Sequence, residues 1–461
     1  MSPTIKFLGA VGTVTGSRFI VEGKNSKVMI DCGLYQGLKE LRRKNWEPFP
    51  EDPKSINSIV ISHAHLDHCG YLPKLVREGY DGPIYCTPYT AKLAAIVLRD
   101  SAKLQTEDAK YAKKKGFSKH AEPTGLYNAE EAEQAIALFH PIPFHTPFQV
   151  AENVSVTFHR SGHILGSSFV DLNVEGKRVV FTGDIGRGNH MVLTNPDLIP
   201  AGPISALVTE STYGNRTHPT SDDSLANAIN RTLKRHGNIL IPAFAVDRTE
   251  IMLMTLKRLI KNKQIPNIPI YVDSPMALSA LNYYRDAINS KSPEIRPELF
   301  NLPEDPFDPG SLSEATTVEA SKALNDITQP SIIISASGMA TGGRVVHHLE
   351  NMLPNPNNSV LLVGYQAAGT RGQYLLSGAT TIKMYGKYVE VNAEIVQIEE
   401  FSVHADSEEL LLWFKSANSI PECVYTVHGE SDSAESFANL IHSKLNWKAQ
   451  VPKLDQVYDL N

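Results

Sequence analysis

The fold of this 461-residue chain is decided by the stretch Ser62-His63-Ala64-His65-Leu66-Asp67-His68-Cys69-Gly70. It places three imidazoles and one carboxylate within the six positions from His63 to His68. Imidazole nitrogen and carboxylate oxygen are the ligands that zinc takes outside thiolate sites, and a catalytic zinc keeps one position open for water. The pattern therefore predicts a metal site. The alternative is a His-rich surface loop without metal, which so specific a pattern disfavours.

The residues just before this stretch, 56–62 (Ile-Asn-Ser-Ile-Val-Ile-Ser), predict a short buried strand. The ligands therefore lie where a strand gives way to a turn. His63 and His65 are two residues apart and can bind one metal, whereas Asp67 and His68 lie beyond a bend and can bind a second. Four ligands are more than one closed tetrahedral site would take from so short a loop.

An acid or an imidazole follows a strand-like run at three other positions. Residues 28–30 lead to Asp31, residues 154–158 lead to His163, and residues 178–181 lead to Asp184. Considered alone, Asp31 also fits a turn former before a glycine, and His163 fits a buried core histidine. Considered together with the first stretch, the pattern predicts two zinc ions. The predicted ligands are His63, His65, His163 and Asp184 for one ion, and Asp67 and His68 for the other, with Asp184 bridging.

Asp31 has a different predicted role from the ligands. A carboxylate that accepts the spare N–H of a metal-bound histidine fixes the tautomer and the orientation of that ring. We expect Asp31 to act in this way.

Composition describes an ordinary globular protein. Hydrophobic residues make up 42% and charged residues 20% of the chain, and its length predicts two or three domains. The formal net charge of −6 argues against general adhesion to nucleic acid or anionic lipid, although a locally basic groove stays open.

Cysteine usage and the apolar runs bear on location. The four cysteines are scattered and form no C-x-x-C pair, which fits a reducing compartment better than a disulfide scaffold. We see no apolar signal core in the first twenty residues and no run that reads as a membrane span. A cytoplasmic protein without a membrane partner is expected.

The middle of the chain alternates between helix and strand patterns. Helical periodicity over 219–236 and 248–263 alternates with strand-like runs at 238–242 and 268–272, which predicts a parallel sheet. Two later runs, 331–336 and 359–364, end in glycines that allow backbone N–H groups to approach an anion. The residues predicted to bind a substrate phosphate are Ser337, Gly338, Gly342, Gly343 and Arg344. An ordinary Gly-rich turn is the alternative.

These motifs together carry a resemblance to a known family. In order and spacing, the stretch 63–68, Ser161-Gly162-His163 and Thr182-Gly183-Asp184 resemble the metallo-β-lactamase superfamily. The segments that follow resemble the β-CASP nucleases, RNA-processing branch, which is similar to the endonuclease subunit of the cleavage and polyadenylation specificity factor. The segments are 209–214, 241–248, 271–277, 337–339, 342–344, 401–406 and 427–430.

The resemblance implies three further site residues. Glu210 matches the acidic motif of the family, His404 its second motif and His428 its third. His428 is then a ligand of the second zinc, while His404, held by Glu210, protonates the leaving oxygen. RNA-cutting members carry histidine at the third motif, whereas the DNA-repair branch typically carries an aliphatic residue, so His428 favours RNA.

The fold that follows is an αββα metallo-β-lactamase sandwich with an inserted β/α (β-CASP) domain. We expect the sandwich to comprise residues 1–205 and 395–461, and the insertion to comprise residues 206–394, with RNA held in the cleft between them. Four arginines beside family-like motifs are expected to contact the RNA backbone: Arg216, Arg248, Arg344 and Arg371.

The predicted function is a zinc-dependent ribonuclease that acts on single-stranded RNA with a metal-bound hydroxide. Asp67, His404 and Glu210 are the residues predicted to carry the chemistry. The alternatives are a DNA nuclease, a thioester or lactam hydrolase of the same superfamily, and a non-catalytic RNA-processing subunit. Glu210, His404 and the long insertion argue against the hydrolase, and the complete ligand set argues against the silent subunit. The oligomeric state is not determined, and a homodimer is one outcome.

Overall fold

The computed structural model describes residues 2–115, 122–218 and 223–460. The chain divides into two compact units. Unit 1 comprises Met1–Gln36, Glu40–Thr217 and Val403–Asn461, and unit 2 comprises Gly37–Lys39 and His218–Ser402. The first four residues of the helix predicted over 219–236 lie outside the described residues.

The N-terminal part of the chain, up to residue 217, supplies most of unit 1. Its strands are β1 (Thr4–Phe7), β2 (Phe19–Glu22), β3 (Lys27–Ile30), β4 (Ser58–Val60), β5 (Ile84–Cys86), β6 (Phe139–Pro141), β7 (Phe148–Ala151), β8 (Val154–Arg160), β9 (Ser168–Val174), β10 (Lys177–Phe181) and β11 (Ala206–Glu210). Its helices are α1 (Lys39–Lys44), α2 (Leu66–Cys69), α3 (Leu72–Arg77), α4 (Pro88–Lys115) and α5 (Ala129–Ala137).

The remaining elements follow in chain order. Unit 2 contains α6 (Ser224–Lys234), β12 (Ile239–Pro242), α7 (Arg248–Lys261), β13 (Ile270–Val272), α8 (Pro275–Asn289), β14 (Leu312–Glu314), α9 (Val318–Ala323), β15 (Ile332–Ser335), α10 (Arg344–Met352), β16 (Ser359–Leu362), α11 (Arg371–Leu376), β17 (Thr381–Met384), β18 (Lys387–Glu390) and β19 (Glu394–Gln397). The chain ends with α12 (Ser407–Phe414), β20 (Val424–Val427), α13 (Ser431–Leu445), β21 (Ala449–Gln450) and β22 (Val457–Asp459).

Unit 1 is built on two seven-stranded sheets, with the orders β22-β1-β2-β3-β4-β5-β6 and β21-β20-β11-β10-β9-β8-β7. Their inner faces share one hydrophobic core, to which Phe7 and Phe158 both contribute as fully buried side chains. A second core joins the β7–β11 sheet to α12 and α13 through Phe414 and Phe437. Alternate burial along β8 shows why these strands suit a sheet with one face toward the core. The predicted αββα sandwich is confirmed.

The strand directions bring the functional residues of unit 1 to one place. β3, β4, β5 and β6 run parallel in one sheet, and β10, β11 and β20 run parallel in the other. Side chains that follow parallel strands lie at the same edge of a sheet, where open α/β sheets place their sites. His63, Asp184 and His428 each come just after such a strand.

Unit 2 is an α/β unit on a six-stranded parallel sheet, with the order β14-β13-β15-β12-β16-β19. All four residues of β12, β15 and β16 are buried, as expected of strands covered on both faces. The predicted parallel sheet is confirmed. The main segment of unit 2 runs from His218 to Ser402, and β11 pairs with β10 and β20 in a sheet of unit 1.

No helix among residues 2–115, 122–218 and 223–460 is both long enough and apolar enough to span a bilayer.

A pair of buried acids lies at the start of α7. Asp247 and Glu250 are fully buried, and Asp247 accepts a hydrogen bond from the hydroxyl of Tyr284 at 2.9 Å. Within the described part of the chain, neither carboxylate oxygen of Glu250 is hydrogen-bonded to another side chain. Burial, and then the charge of Asp247, raise the pKa of the Glu250 carboxyl well above its usual range. Glu250 is therefore neutral in the folded chain under conditions in which it is ionised in the unfolded chain.

We predict that Glu250→Gln stabilises the protein at pH 8 and has little effect near pH 4.5. A raised folded-state pKa means that the native state retains a proton that the unfolded state releases above pH 4.5. Relative to the variant, the parent should lose up to about 1.4 kcal/mol of unfolding free energy per pH unit above that value. Urea unfolding of both proteins across this pH range measures the difference. A gap that is constant with pH would contradict a neutral Glu250.

Candidate metal centre

Four ligand atoms in unit 1 form a first compact set. The Nδ1 atom of His65 lies 3.1 Å from Nε2 of His63 and 3.3 Å from Nε2 of His163. Oδ2 of Asp184 lies 3.4 Å from Nε2 of His63 and 3.5 Å from Nε2 of His163. These are the four residues predicted from the sequence to hold one zinc.

A second set lies on the other side of Asp184. Nε2 of His68 lies 3.2 Å from Nε2 of His428, which lies 3.3 Å from Oδ2 of Asp67. Oδ1 of Asp184 lies 3.4 Å from Nε2 of His68. The two carboxylate oxygens of Asp184 therefore face different sets, which is the arrangement of a bridging ligand.

The donor atoms fit zinc in spacing and in chemistry. A tetrahedral zinc with bonds of about 2.0–2.1 Å separates neighbouring ligand atoms by about 3.3 Å, which is close to the separations seen here. Oδ1 of Asp184 is buried and has no hydrogen-bond partner among the described residues. An orphaned buried carboxylate oxygen is costly unless a cation satisfies it.

Two of the imidazoles, those of His63 and His163, are in the neutral state that a metal requires. Burial, reinforced by the neighbouring imidazoles, lowers the pKa of His63 and of His163 well below the usual range. Both rings are therefore neutral near pH 7, and each has a nitrogen lone pair to offer.

A hydrogen-bond network orients two of these rings from behind. Asp31 lies where it was expected, with Oδ2 at 2.7 Å from Nδ1 of His68. The hydroxyl of Ser62 donates to the same carboxylate at 2.8 Å and lies 3.1 Å from Nδ1 of His63. Because its one hydrogen goes to Asp31, this hydroxyl accepts from the Nδ1–H of His63. Nε2 of each ring is then left to face the ligand set.

Thr212 has the corresponding position behind His428, and sequence reasoning did not single it out. Its hydroxyl oxygen lies 3.1 Å from Nδ1 of His428 and 3.1 Å from the backbone carbonyl oxygen of that residue, and it also contacts the carboxylate of Glu210. The carbonyl oxygen of His428 and the carboxylate of Glu210 can only accept. The hydroxyl therefore donates to one of these two groups and accepts from Nδ1–H of His428. Thr212 lies within the family-like segment 209–214, but the sequence of that segment does not indicate where the hydroxyl points.

His404 lies beside the first ligand set without belonging to it. Its ring is 4.5 Å from the ring of His163, and its Nδ1 is 3.8 Å from Oδ2 of Asp184. Nδ1 lies 3.0 Å from Oε2 of Glu210, whose Oε1 accepts the backbone N–H of Ile185 at 2.7 Å. Nδ1 of His404 is therefore engaged by Glu210.

Glu210 is buried yet ionised. Burial raises the pKa of its carboxyl, but the charge and hydrogen bond of His404 outweigh that effect and the net pKa lies below the usual range. A carboxylate here stabilises a protonated His404.

Two arginines of unit 2 are placed differently from the prediction. Arg248 is only 4% exposed and donates to the carbonyl oxygen of Val363 at 2.6 Å, so it is not presented to a substrate at the surface. Arg344 donates to the buried carboxylate of Asp273 at 2.6 Å, which offsets its charge. Their sequence positions beside motifs gave no sign of these partners.

The rest of the predicted phosphate-binding segment forms the turn from β15 to α10. Gly343 has φ +78° at the N-terminus of α10, and a Cβ on Gly342 would meet no atom within 4 Å. A Cβ on Gly338 would approach the ring of Phe244 to 2.6 Å, so that glycine is needed for packing. The hydroxyl of Ser337 lies 3.0 Å from that of Thr341. Arg371 donates to the carbonyl oxygen of Thr341 at 2.7 Å.

Three family models match successive parts of the chain. The metallo-β-lactamase superfamily model matches residues 11–235, and the β-CASP domain model matches residues 249–375. A model described as the Zn-dependent metallo-hydrolase RNA specificity domain matches residues 388–452.

Curated relatives match over nearly the whole chain. Ribonuclease TTHA0252 of Thermus thermophilus is 34% identical over 94% of this chain and 94% of its own length. An RNase J-like protein of Methanocaldococcus jannaschii is 31% identical over 97% of both. Transcription termination factor FttA of the same organism is 29% identical over 97% of this chain and 70% of its own length. A solved protein of unknown function from Enterococcus faecalis shares the fold at 14% identity and a TM-score of 0.53, with full coverage of both chains.

We predict that Thr212→Val weakens zinc binding at the second set about 10- to 100-fold, because the variant loses the acceptor that fixes the His428 tautomer. Thr212→Ser keeps a hydroxyl and should retain the parental affinity. Competition of each protein against a chromogenic zinc chelator gives the affinity directly. Equal affinities for the valine and serine variants would rule out the orienting role.

Proposed function

Because the chain belongs to the metallo-β-lactamase superfamily and carries its β-CASP domain, we propose that it is a zinc-dependent ribonuclease that cleaves single-stranded RNA with two zinc ions per chain. The observation that carries this proposal is the double ligand set around Asp184, with His404 beside it. The alternative hydrolase of a thioester or lactam has no need for a histidine held by a buried glutamate at this position.

Each ligand has a defined place in the proposal. His63, His65, His163 and Asp184 would hold one zinc, and Asp67, His68 and His428 would hold the other with Asp184 as the shared ligand. When bound, two zinc ions acidify a water molecule so that hydroxide is available near pH 7 and offset negative charge on a phosphate. Asp31, Ser62 and Thr212 keep the imidazole nitrogens aimed at the ions.

His404 is assigned the role of the general acid that protonates the leaving group. Its Nδ1–H donates to Glu210, so in the protonated ring the Nε2–H is the proton that would pass to the oxygen that departs. The buried carboxylate keeps the ring oriented and favours its charged form. A positioned general acid of this kind typically contributes about 10²- to 10⁴-fold in rate.

The comparisons support RNA as the substrate, and the cysteines support the cytoplasm as the location. Two of the relatives described above carry ribonuclease names, and the RNA specificity model matches the C-terminal part of the chain. All four cysteines are unpaired and buried, which suits a reducing compartment. Attack by water does not use the 2′-hydroxyl, so preference for RNA over DNA would arise from binding.

We predict two zinc ions per chain and zinc-dependent cleavage of RNA. Elemental analysis after purification without chelator gives the metal content, and 5′-labelled single-stranded RNA and DNA of the same sequence, resolved on a gel, give the activity. Asp184→Ala should lose more metal than any other single ligand variant, because it removes a ligand of both ions. A reproducible content of one ion or fewer would overturn the dinuclear centre, and preferential cutting of DNA would overturn the ribonuclease.

We predict that His404→Ala retains both zinc ions and binds RNA, yet cleaves about 10²- to 10⁴-fold more slowly. Glu210→Ala should behave similarly, and the double variant should be little worse than His404→Ala, because residues that act as a unit are not additive. Zinc content is measured beside single-turnover cleavage. His140→Ala, which removes an exposed histidine of β6, is the matched control and should behave like the parent. Loss of metal from His404→Ala would make it a ligand instead of an acid.

A further inference from the structure

We propose that the hairpin β17–β18 of unit 2 is a binding site for single-stranded RNA, in which a base stacks on Tyr388 and Lys383 binds the adjoining phosphate. This inference rests on the proposed function and names a surface that holds its substrate.

The hairpin is a fixed platform because one of its faces is anchored. Ile382 and Met384 point inward, are buried, and belong to a core that includes Val345 of α10 and Leu375 of α11. The two strands are joined by Tyr385 and Gly386, with φ of +47° and +82°, which are the positive values of a tight two-residue hairpin turn.

The other face presents an aromatic ring to solvent. Tyr388 is 72% exposed, the highest value of any large hydrophobic side chain in the part of the chain that the structure describes. Lys383 is its direct partner on the neighbouring strand, and its Nζ lies 5.7 Å from the centre of the Tyr388 ring. A ring and a cation side by side on an open strand face match the two chemical features of a nucleotide, the base and the phosphate.

An aromatic pair lies at the turn of the hairpin. The rings of Tyr385 and His347 stack with their centres 4.7 Å apart at 19°, and the tyrosine hydroxyl lies 3.0 Å from Nε2 of His347. His347 is an exposed residue of α10. Planar surfaces therefore extend from the strand face of the hairpin toward that helix.

Arg371 connects the hairpin to the Gly-rich turn. Its Nε lies 3.4 Å from the carbonyl oxygen of Lys383, and its Nη1 lies 2.7 Å from that of Thr341. The hairpin and the turn 337–343 are thus held as neighbours. An RNA strand on the hairpin would therefore pass near the turn.

Local charge favours an anionic partner. Residues 371–391 contain three basic side chains, Arg371, Lys383 and Lys387, and one acidic side chain, Glu390, whereas the whole chain carries −6. The hairpin is therefore a positive segment of a negative protein, which favours a negatively charged partner such as RNA.

The test measures RNA binding in the His404→Ala background, so that the RNA stays intact. Tyr388→Ala should weaken binding roughly fivefold to a hundredfold, as the loss of one base–aromatic stack does, while Tyr388→Phe keeps the ring and should bind like the parent. Lys383→Ala should also lower the slope of log affinity against log salt concentration by about one. Lys261→Ala, which removes an exposed charge from the end of α7, is the control for net charge and should leave the slope unchanged.

A second RNA separates stacking from electrostatics. On single-stranded RNA that carries abasic sites, the parent and Tyr388→Ala should bind with equal affinity, because no base is left to stack. Thermal unfolding of each variant excludes a loss of fold. If the parent binds RNA and Tyr388→Ala binds equally well, the hairpin site is wrong while the ribonuclease stands. If the parent neither binds nor cuts RNA, the proposed function itself is wrong.

Discussion

The carboxylate of Asp184 is the constraint on which the rest of unit 1 depends. It is 2% exposed and lies within 3.5 Å of nitrogen atoms from four histidines, namely His63, His68, His163 and His428. A buried charge is costly unless it is paired or coordinates a metal, so the surrounding residues must supply a cation or hold one. The two sheets meet this requirement together, because the residues that follow β4 in one sheet, and β10 and β20 in the other, lie around this carboxylate.

The same residues divide into those that face the ions and those that stand behind them. Asp31, Ser62 and Thr212 each occupy the Nδ1 side of a histidine whose Nε2 faces a ligand set. His404 is held in the same way, since its Nδ1 lies 3.0 Å from Oε2 of Glu210, but its ring lies beside the ligand sets and not within them. A hydrogen bond at Nδ1 thus orients both the predicted metal ligands and the proposed proton donor. The two kinds of histidine differ in whether the ring lies within a ligand set.

In unit 2, the sequence did not show that two of the arginines expected to bind RNA are buried or paired. The guanidinium of Arg248 is buried and that of Arg344 is paired with Asp273, so two of the arginines expected to bind RNA serve the fold of the unit. By contrast, Tyr388 of the β17–β18 hairpin is 72% exposed, and its ring lies beside Lys383. Exposure, and not position beside a motif, therefore distinguishes the side chains that a substrate can reach.

The sequence by itself was enough to predict the architecture and a metal site. Helix–strand alternation from about residue 219 predicted the parallel sheet, and the H-x-H-x-D-H stretch predicted coordination chemistry through residue type. The αββα sandwich followed from the resemblance that the motifs carry. The ligand assignments remain predictions, although the structure brings all seven residues together. Only the tertiary structure decided which hydroxyl stands behind His428, which arginines are buried, and that β11 belongs to unit 1. The physical reason is that these depend on partners far apart in the chain, such as Thr212 with His428, and a local pattern carries no information about such pairs.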